Sequence, residues 1–431
     1  MFYHNYFKKG ASLMALLSLF TLTLTLQAQT SIELAGNLMA YPYLENEPPK
    51  QTPAPEGYIP FHLEHYGRHG SRWLIGPNDY KIPVEKLEKA EKKGKLTPLG
   101  HKTLAVLRDI QKASEKREGE LSDLGALQHQ AIGRRMAINY PEIFNREAKI
   151  DAKSTIVIRC ILSMANALQG ISEVAPGIKP AKDASYADIW FMNYDDTRAW
   201  VVKDSAENIY LTPYKENLFT SDFYLDRLVN DPQFARDSVA PGLLPYIYWV
   251  LSNTQSHIGQ PYIIEEVFPE EELRQNWMAN NAFWFIHGGN SAMTQGRMPY
   301  TQRKLLMRII ERTDSAIIER ESGANLRFGH DGILLNLVTL MELGYYGNKI
   351  DSFEDLENSD WREYEIIPMA GNLQLVFYRP QDSFEPDKIL VKAMLNEKEI
   401  SMPGKETGPY YNWQELKNYY LSKIKNFENA E

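Results

Sequence analysis

Tyr58 to His65 alternates apolar and polar residues as a strand does, and it runs unbroken into Tyr66-Gly67-Arg68-His69-Gly70-Ser71-Arg72. A strand that ends in a glycine-bearing loop holds its polar tip at the edge of a sheet, where ligands of open α/β sheets bind. The two outer arginines present planar forks that match phosphate oxygens, and the histidine between them can attack or shuttle protons. Gly67 and Gly70 are expected to free the backbone there. Alone, the stretch suits a charged surface loop equally well, so the other predicted strand ends carry the decision.

Two such ends follow. Ser154 to Ile158 is β-branched after the serine and predicts a buried strand ending at Arg159. A cation there is costly without a partner, which an anion or an unlocated acid would supply. Cys160 beside it reads as a small packed residue, because nothing nearby in sequence would activate its thiol. Later, Asn325 to Gly329 reads as a short strand entering Ile333 to Leu343, apolar almost all round. His330-Asp331 stands at the start of that helix, where backbone amides and the dipole favour anions, although Asp331 also suits a simple cap.

Between these points the chain is mostly helical. Pro83 to Lys95 predicts a short solvated helix, and Thr97-Pro98 and Ser122 each mark a helix start. Arg134 and Arg135 are expected on a solvated face. From about Asp183 the chain turns aromatic and helical, punctuated by Pro213, Pro232, Pro241 and Pro245, and His287 beside Gly288-Gly289 reads as structural. Leu373 to Tyr378 and Ile389 to Leu395 suit the far strands of the same sheet, and Asn412 to Phe427 a terminal helix.

A chain of 431 residues exceeds one small core, and the expected partition is a signal peptide over 1–28, an α/β core over 29–183 and 303–431, and an α-rich segment over 184–302. Lys8 and Lys9 precede the apolar run Ala15 to Leu26, and Ala28 offers a cleavage point, the layout of an export signal too short for a membrane span. No cysteine follows closely enough for a lipid anchor. Without the two leader lysines, 47 basic and 56 acidic residues leave a net charge of about −11, which argues against a nucleic-acid partner. Any phosphate site must therefore come from locally clustered arginines. Cys160 is the single cysteine, which excludes an internal disulfide, and no Cys/His spacing suggests zinc.

These residues resemble the histidine acid phosphatases, the family branch that includes phytases and multiple inositol-polyphosphate phosphatases. Its R-H-G-x-R signature matches Arg68-His69-Gly70-Ser71-Arg72, its third arginine matches Arg159, and its late H-D pair matches His330-Asp331. Leu121-Ser122-Asp123-Leu124-Gly125 and Asn396-Glu397 are similar too, so the likeness runs from about residue 34 to 400. The resemblance implies a central, mostly parallel sheet flanked by helices with an α-helical cap inserted. It implies attack on phosphorus by His69, oxygens held by Arg68, Arg72, Arg159 and His330, and protonation of the leaving group by Asp331. It implies no metal or organic cofactor, and an acidic optimum would follow if Asp331 must be protonated and His330 cationic at rest.

The chain departs from family habits at Gly332-Ile333, where many relatives have threonine after the H-D pair. It also lacks the H-A-E triplet of many inositol-polyphosphate phosphatases. The function expected is an exported phosphomonoesterase acting on a small molecule, with inositol polyphosphates such as phytate as candidate substrates. The alternative is a phosphate-binding protein that kept the fold and lost catalysis, against which the complete set of His69, His330 and Asp331 speaks. A glycan-binding surface rests only on the 12% aromatic content, which core packing explains.

Overall fold

The computed structural model describes residues 29–430 except 45, 194, 195 and 405–407; the expected signal peptide lies outside them. Its centre is β1 (Tyr58–Arg68), with β4 (Gly323–Gly329) parallel on one side and β5 (Asn372–Pro380) antiparallel on the other. β2 (Lys149–Ser154) and β3 (Ala181–Asp183) extend the parallel side in the order β3-β2-β4-β1. β6 (Leu390–Leu395), β7 (Lys398–Ile400) and β8 (Tyr411–Asn412) complete the antiparallel side. The class is α/β, a mixed sheet flanked by helices. Only helices, of α, 3-10 and π type, are assigned among the described residues between Tyr186 and Glu319. No helix among the described residues is long and apolar enough to cross a membrane.

A strand bonded on both edges and covered on both faces has no solvent side for its polar residues. His62, Glu64 and His65 in β1 are all buried, so the polar alternation marks pairing inside the core. The Glu64 carboxylate lies 2.9 Å from His62 Nε2 and accepts from Asn325 Nδ2 at 2.5 Å, opposite it in the parallel register. Leu373, Leu375 and Phe377 of β5 face one core with the helices Arg303–Glu319, Asp331–Leu340 and Trp413–Ala430. Val376 and Tyr378 face the opposite core with α3 (Asp123–Asn139) and α4 (Ile158–Val174). A third core is mostly helical: α1 (Pro77–Lys92) and α2 (Pro98–Ser114) pack with Tyr224, Leu251 and Trp277 from the long helical segment, and with Trp73 and Leu74 from the loop after β1.

Several local expectations change. The strand expected at Ser154 to Ile158 is displaced to Lys149–Ser154, where Ile150, Ala152 and Ser154 point inward between more exposed Lys149, Asp151 and Lys153. The β-branched run beyond it turns, Ile158 stands exposed, and Arg159 falls in the first turn of α4 instead of at a strand end. The helix expected from Pro83 begins at Pro77 and buries Tyr80, Val84 and Leu87. Arg135 is not solvated: its Nε donates to buried Glu397 at 2.8 Å, and Tyr41 Oη donates to the same carboxylate. Asn396 and Glu397 are the two left-handed residues of the tight β6–β7 turn, which explains why they stand together.

α3 and α4 touch at bare backbone. A Cβ on Gly133 would lie 2.1 Å from the Ala167 carbonyl oxygen, and one on Gly170 would lie 2.0 Å from that of Gln130. Gly133→Ala therefore has to push the helices apart, at a cost of about 1–3 kcal/mol. Urea unfolding should read that loss. Unchanged stability would mean that the crossing yields freely.

Candidate active site

The carboxyl ends of β1, β2 and β4 lie side by side, with Arg68 opposite Gly329 and Ser154 opposite Phe328. Arg68, His69 and Arg72 follow one strand end, His330 and Asp331 follow another, and Arg159 leans in from the start of α4. The residues singled out in the sequence are thus brought together. His69 keeps its main chain in the sheet: its N–H donates to Gly329 O at 3.0 Å, and its carbonyl accepts from Ala370 N at 3.0 Å.

The next residues are pressed against α3 and α4. Gly70 N donates to Ser163 Oγ at 3.1 Å, and Ser71 N donates to Gln128 Oε1 at 2.9 Å. Neither Gly67 nor Gly70 has a positive φ, so freedom of the backbone is not their purpose. A Cβ on Gly70 would sit 2.5 Å from the Gly125 carbonyl oxygen, which makes close approach the reason for glycine there. Ser163 and Gln128 were invisible as functional residues in the sequence. Their one signal is a polar side chain on a helix face that is otherwise buried.

Arg68 is wholly buried, and its Nη1 donates to Asn37 O at 2.6 Å and Ile367 O at 2.5 Å. Its Nη2 lies 2.9 Å from Asp331 Oδ2, an ion pair without hydrogen-bond alignment. Among the described residues Arg68 Nη2 and Nε, Arg72 Nε and Arg159 Nε are buried donors that lack an aligned acceptor. Arg72 Nη1 donates to Trp73 O at 2.9 Å, and Arg159 Nη1 reaches Gly119 O at 3.5 Å. Three guanidiniums therefore converge with one carboxylate between them.

His69 Nδ1 lies 3.0 Å from Gly70 O; a carbonyl can only accept, so Nδ1 carries the proton and Nε2 keeps its lone pair. Burial, then the charges of Arg68, Arg72 and Arg159, push this imidazole well below its ordinary value, and it is neutral. The rings of His69 and His330 are 6.1 Å apart. His330 Nε2 lies 3.3 Å from Thr155 Oγ1, and its backbone N–H donates to Tyr66 Oη at 3.2 Å. Burial and the arginines lower His330 in spite of Asp331. Burial raises the Asp331 carboxyl, but Arg68, His330 and Arg72 outweigh it and hold it below the usual value. At rest, then, Asp331 is anionic and His330 tends to neutral, the reverse of the expected pair. Asp331 also opens the helix Asp331–Leu340, with its Oδ1 accepting from Gly332 N at 3.0 Å.

The sole cysteine is inert, as its sequence context implied. Cys160 Sγ is buried 3.2 Å from Gly329 O, and burial raises the thiol to about 11. His287 stacks on Phe283 at 3.9 Å and pairs with Glu207.

No family model matches the chain. Solved structures do. A Bifidobacterium longum multiple inositol polyphosphate phosphatase in complex with phosphate superposes with TM-score 0.73 at 18% identity, over 91% of this chain and 98% of that one. The same protein in complex with inositol hexasulfate gives TM-score 0.70 at 16% identity, over 90% and 97%. The phytase from D. castellii gives TM-score 0.67 at 16% identity, over 94% and 88%. The chain has the fold of these phosphatases.

The turn that holds Arg68 rests on another buried acid. Asn37 Oδ1 accepts from Asn280 Nδ2 at 3.3 Å, and the same amide donates to Glu363 Oε1 at 2.9 Å, with Trp277 Nε1 on Oε2 at 3.2 Å. Burial pushes Glu363 up to about 8. A carboxyl raised in the folded state stabilises fully below its unfolded value, near 4.5, and loses that contribution as pH rises toward 8. Glu363→Gln cannot titrate. Between pH 5 and pH 8 the variant should gain on the parent by roughly 2–4 kcal/mol, read by urea unfolding at both pH values. A constant difference would mean that Glu363 keeps one charge state throughout.

Proposed function

We propose that the chain is a phosphomonoesterase working through a phosphohistidine on His69. The observation that carries this reading is the set of buried, unmatched N–H donors on Arg68, Arg72 and Arg159 around a neutral imidazole with a free Nε2. Buried donors without acceptors are costly, and a phosphoryl group brings oxygens that would satisfy them. Inositol polyphosphates enter as candidate substrates because fold neighbours are phosphatases of that class, one of them holding inositol hexasulfate. The leader over residues 1–28 supports export.

In the proposed reaction His69 Nε2 attacks phosphorus in line with the ester oxygen, forming the N–P bond as the P–O bond breaks. Arg68, Arg72 and Arg159 balance the charge on the remaining oxygens. Asp331 gives its proton to the departing alkoxide. The resulting carboxylate then takes a proton from the water that attacks phosphohistidine, which frees His69, and phosphate leaves as its monoanion with that proton, returning Asp331 to its resting carboxylate. Since Asp331 is anionic at rest, the proton it donates arrives with the substrate, bound as the monoanion. Phosphate oxygens near Arg68 weaken that arginine's hold on Asp331 and raise its affinity for the proton.

His69→Ala should abolish p-nitrophenyl phosphate turnover in a protein that still unfolds cooperatively, and retained turnover would remove His69 as nucleophile. Asp331→Asn should slow alkyl esters by about 10²–10⁴-fold and p-nitrophenyl phosphate far less, because only the poor leaving group needs a proton. Equal losses would remove Asp331 from the acid role. A phosphate monoester loses its second proton near pH ~6. kcat/KM should therefore fall above about that value, and a flat profile to pH 8 would exclude delivery of the proton by substrate.

A further inference from the structure

The helical layer opens a cavity of about 450 Å³ between the helices Thr212–Leu218, Leu244–Asn253 and Glu270–Gly288. Such a volume suits a small-molecule group. Phe219, Tyr248, Trp249, Phe283 and Trp284 line it, and Lys215 is the one charged residue among its lining. Two contacts join it to the catalytic groups. Asn37, also in its wall, gives its carbonyl to Arg68 Nη1 at 2.6 Å. A Cβ on Gly332, next after Asp331, would lie 3.8 Å from the Trp284 ring, an ordinary contact, and within 4 Å of nothing else apart from its chain neighbours and the backbone of its own helix. Gly332 thus lies against the aromatic wall, one residue on from Asp331.

The lining fixes what can sit there. A leaving group with several further phosphates needs several cations, and this wall offers one. Lys215 Nζ lies 5.6 Å from the centroid of Phe283, and Glu207 acts on the same ammonium. Flat aromatic walls favour a ring face, by stacking. A basic groove of about 570 Å³, lined by Lys149, Lys153, Lys179, Arg308 and Arg312, does exist, but it lies toward the opposite ends of β2 and β4, away from Arg68 and Asp331.

We infer that this cavity receives the leaving group, and that it selects monoesters of flat-ringed alcohols carrying no further phosphate, aryl or nucleoside, over polyphosphorylated ones. The inference rests on the phosphomonoesterase reading and narrows it away from phytate.

The test is a kcat/KM panel on the full-length protein with 1-naphthyl phosphate, adenosine 5′-monophosphate, glycerol 2-phosphate and myo-inositol hexakisphosphate, for the parent, Trp284→Ala and Phe283→Ala. At least one of the two ring-bearing esters should exceed the hexakisphosphate by about tenfold or more. Whether naphthyl or adenosine leads identifies which source of ring the wall prefers. Trp284→Ala should lower kcat/KM for the preferred ring ester by about tenfold, mainly through KM, and leave glycerol 2-phosphate within about twofold. A parent that prefers the hexakisphosphate would overturn the inference and leave the phosphatase standing. So would equal losses on every substrate in both variants. No turnover of any substrate by the parent would overturn both.

Discussion

A guanidinium with no exposed surface, at the end of the central strand, is the interaction on which the rest of this structure depends. Two carbonyls and one carboxylate face Arg68, and they come from the N-terminal turn at Asn37, the segment at Ile367 and the helix start at Asp331. Burying a cation is tolerable only where such partners are held in place. Parts of the chain more than 290 residues apart are thereby tied to one side chain, with Ile367 at a separation of 299. After burial, the same charge is the largest cause that lowers the His69 imidazole, and it leads the charges that hold the Asp331 carboxyl below its usual value.

Much of the fold was legible because its strongest elements carry local signals. Thr97 and Ser122 do cap their helices through the amides of Gly100 and Gly125, and the helix after Asp331 is buried, as a run apolar almost all round implied. The misplacement of β2 has a physical cause. β-branched residues favour strands only where a neighbour receives them, and past Ser154 the parallel ladder with β4 has run out. Arg135 misled for a related reason. Its carboxylate partner lies 262 residues away, and no local pattern reports it.

The site divides in the same way. Arg68, His69 and Arg72 and the His330-Asp331 pair were legible because each follows a run that reads as a strand, and Arg159 because a cation next to a buried run needs a partner, although its strand was misplaced. Ser163, Gln128, Asn37 and Ile367 were not. Two of them act through the carbonyl alone, which any residue possesses. The charge states at Asp331 and His330 were also beyond reach, since they depend on how closely Arg68, Arg72 and Arg159 converge.

One feature separates chemistry from choice. The main chain of His69 is bonded on both sides, to the end of β4 and to Ala370, whereas the aromatic wall belongs to helices packed through side chains. Backbone ladders in a central sheet open only with the whole cooperative unit, while peripheral helices sample local openings at lower free energy. By that rule the main chain at His69 belongs with the slowest amides to exchange, and the aromatic wall proposed for the leaving group belongs to the layer freer to breathe. Sequence drift in that outer layer can reshape the aromatic wall without disturbing the strand end that holds His69.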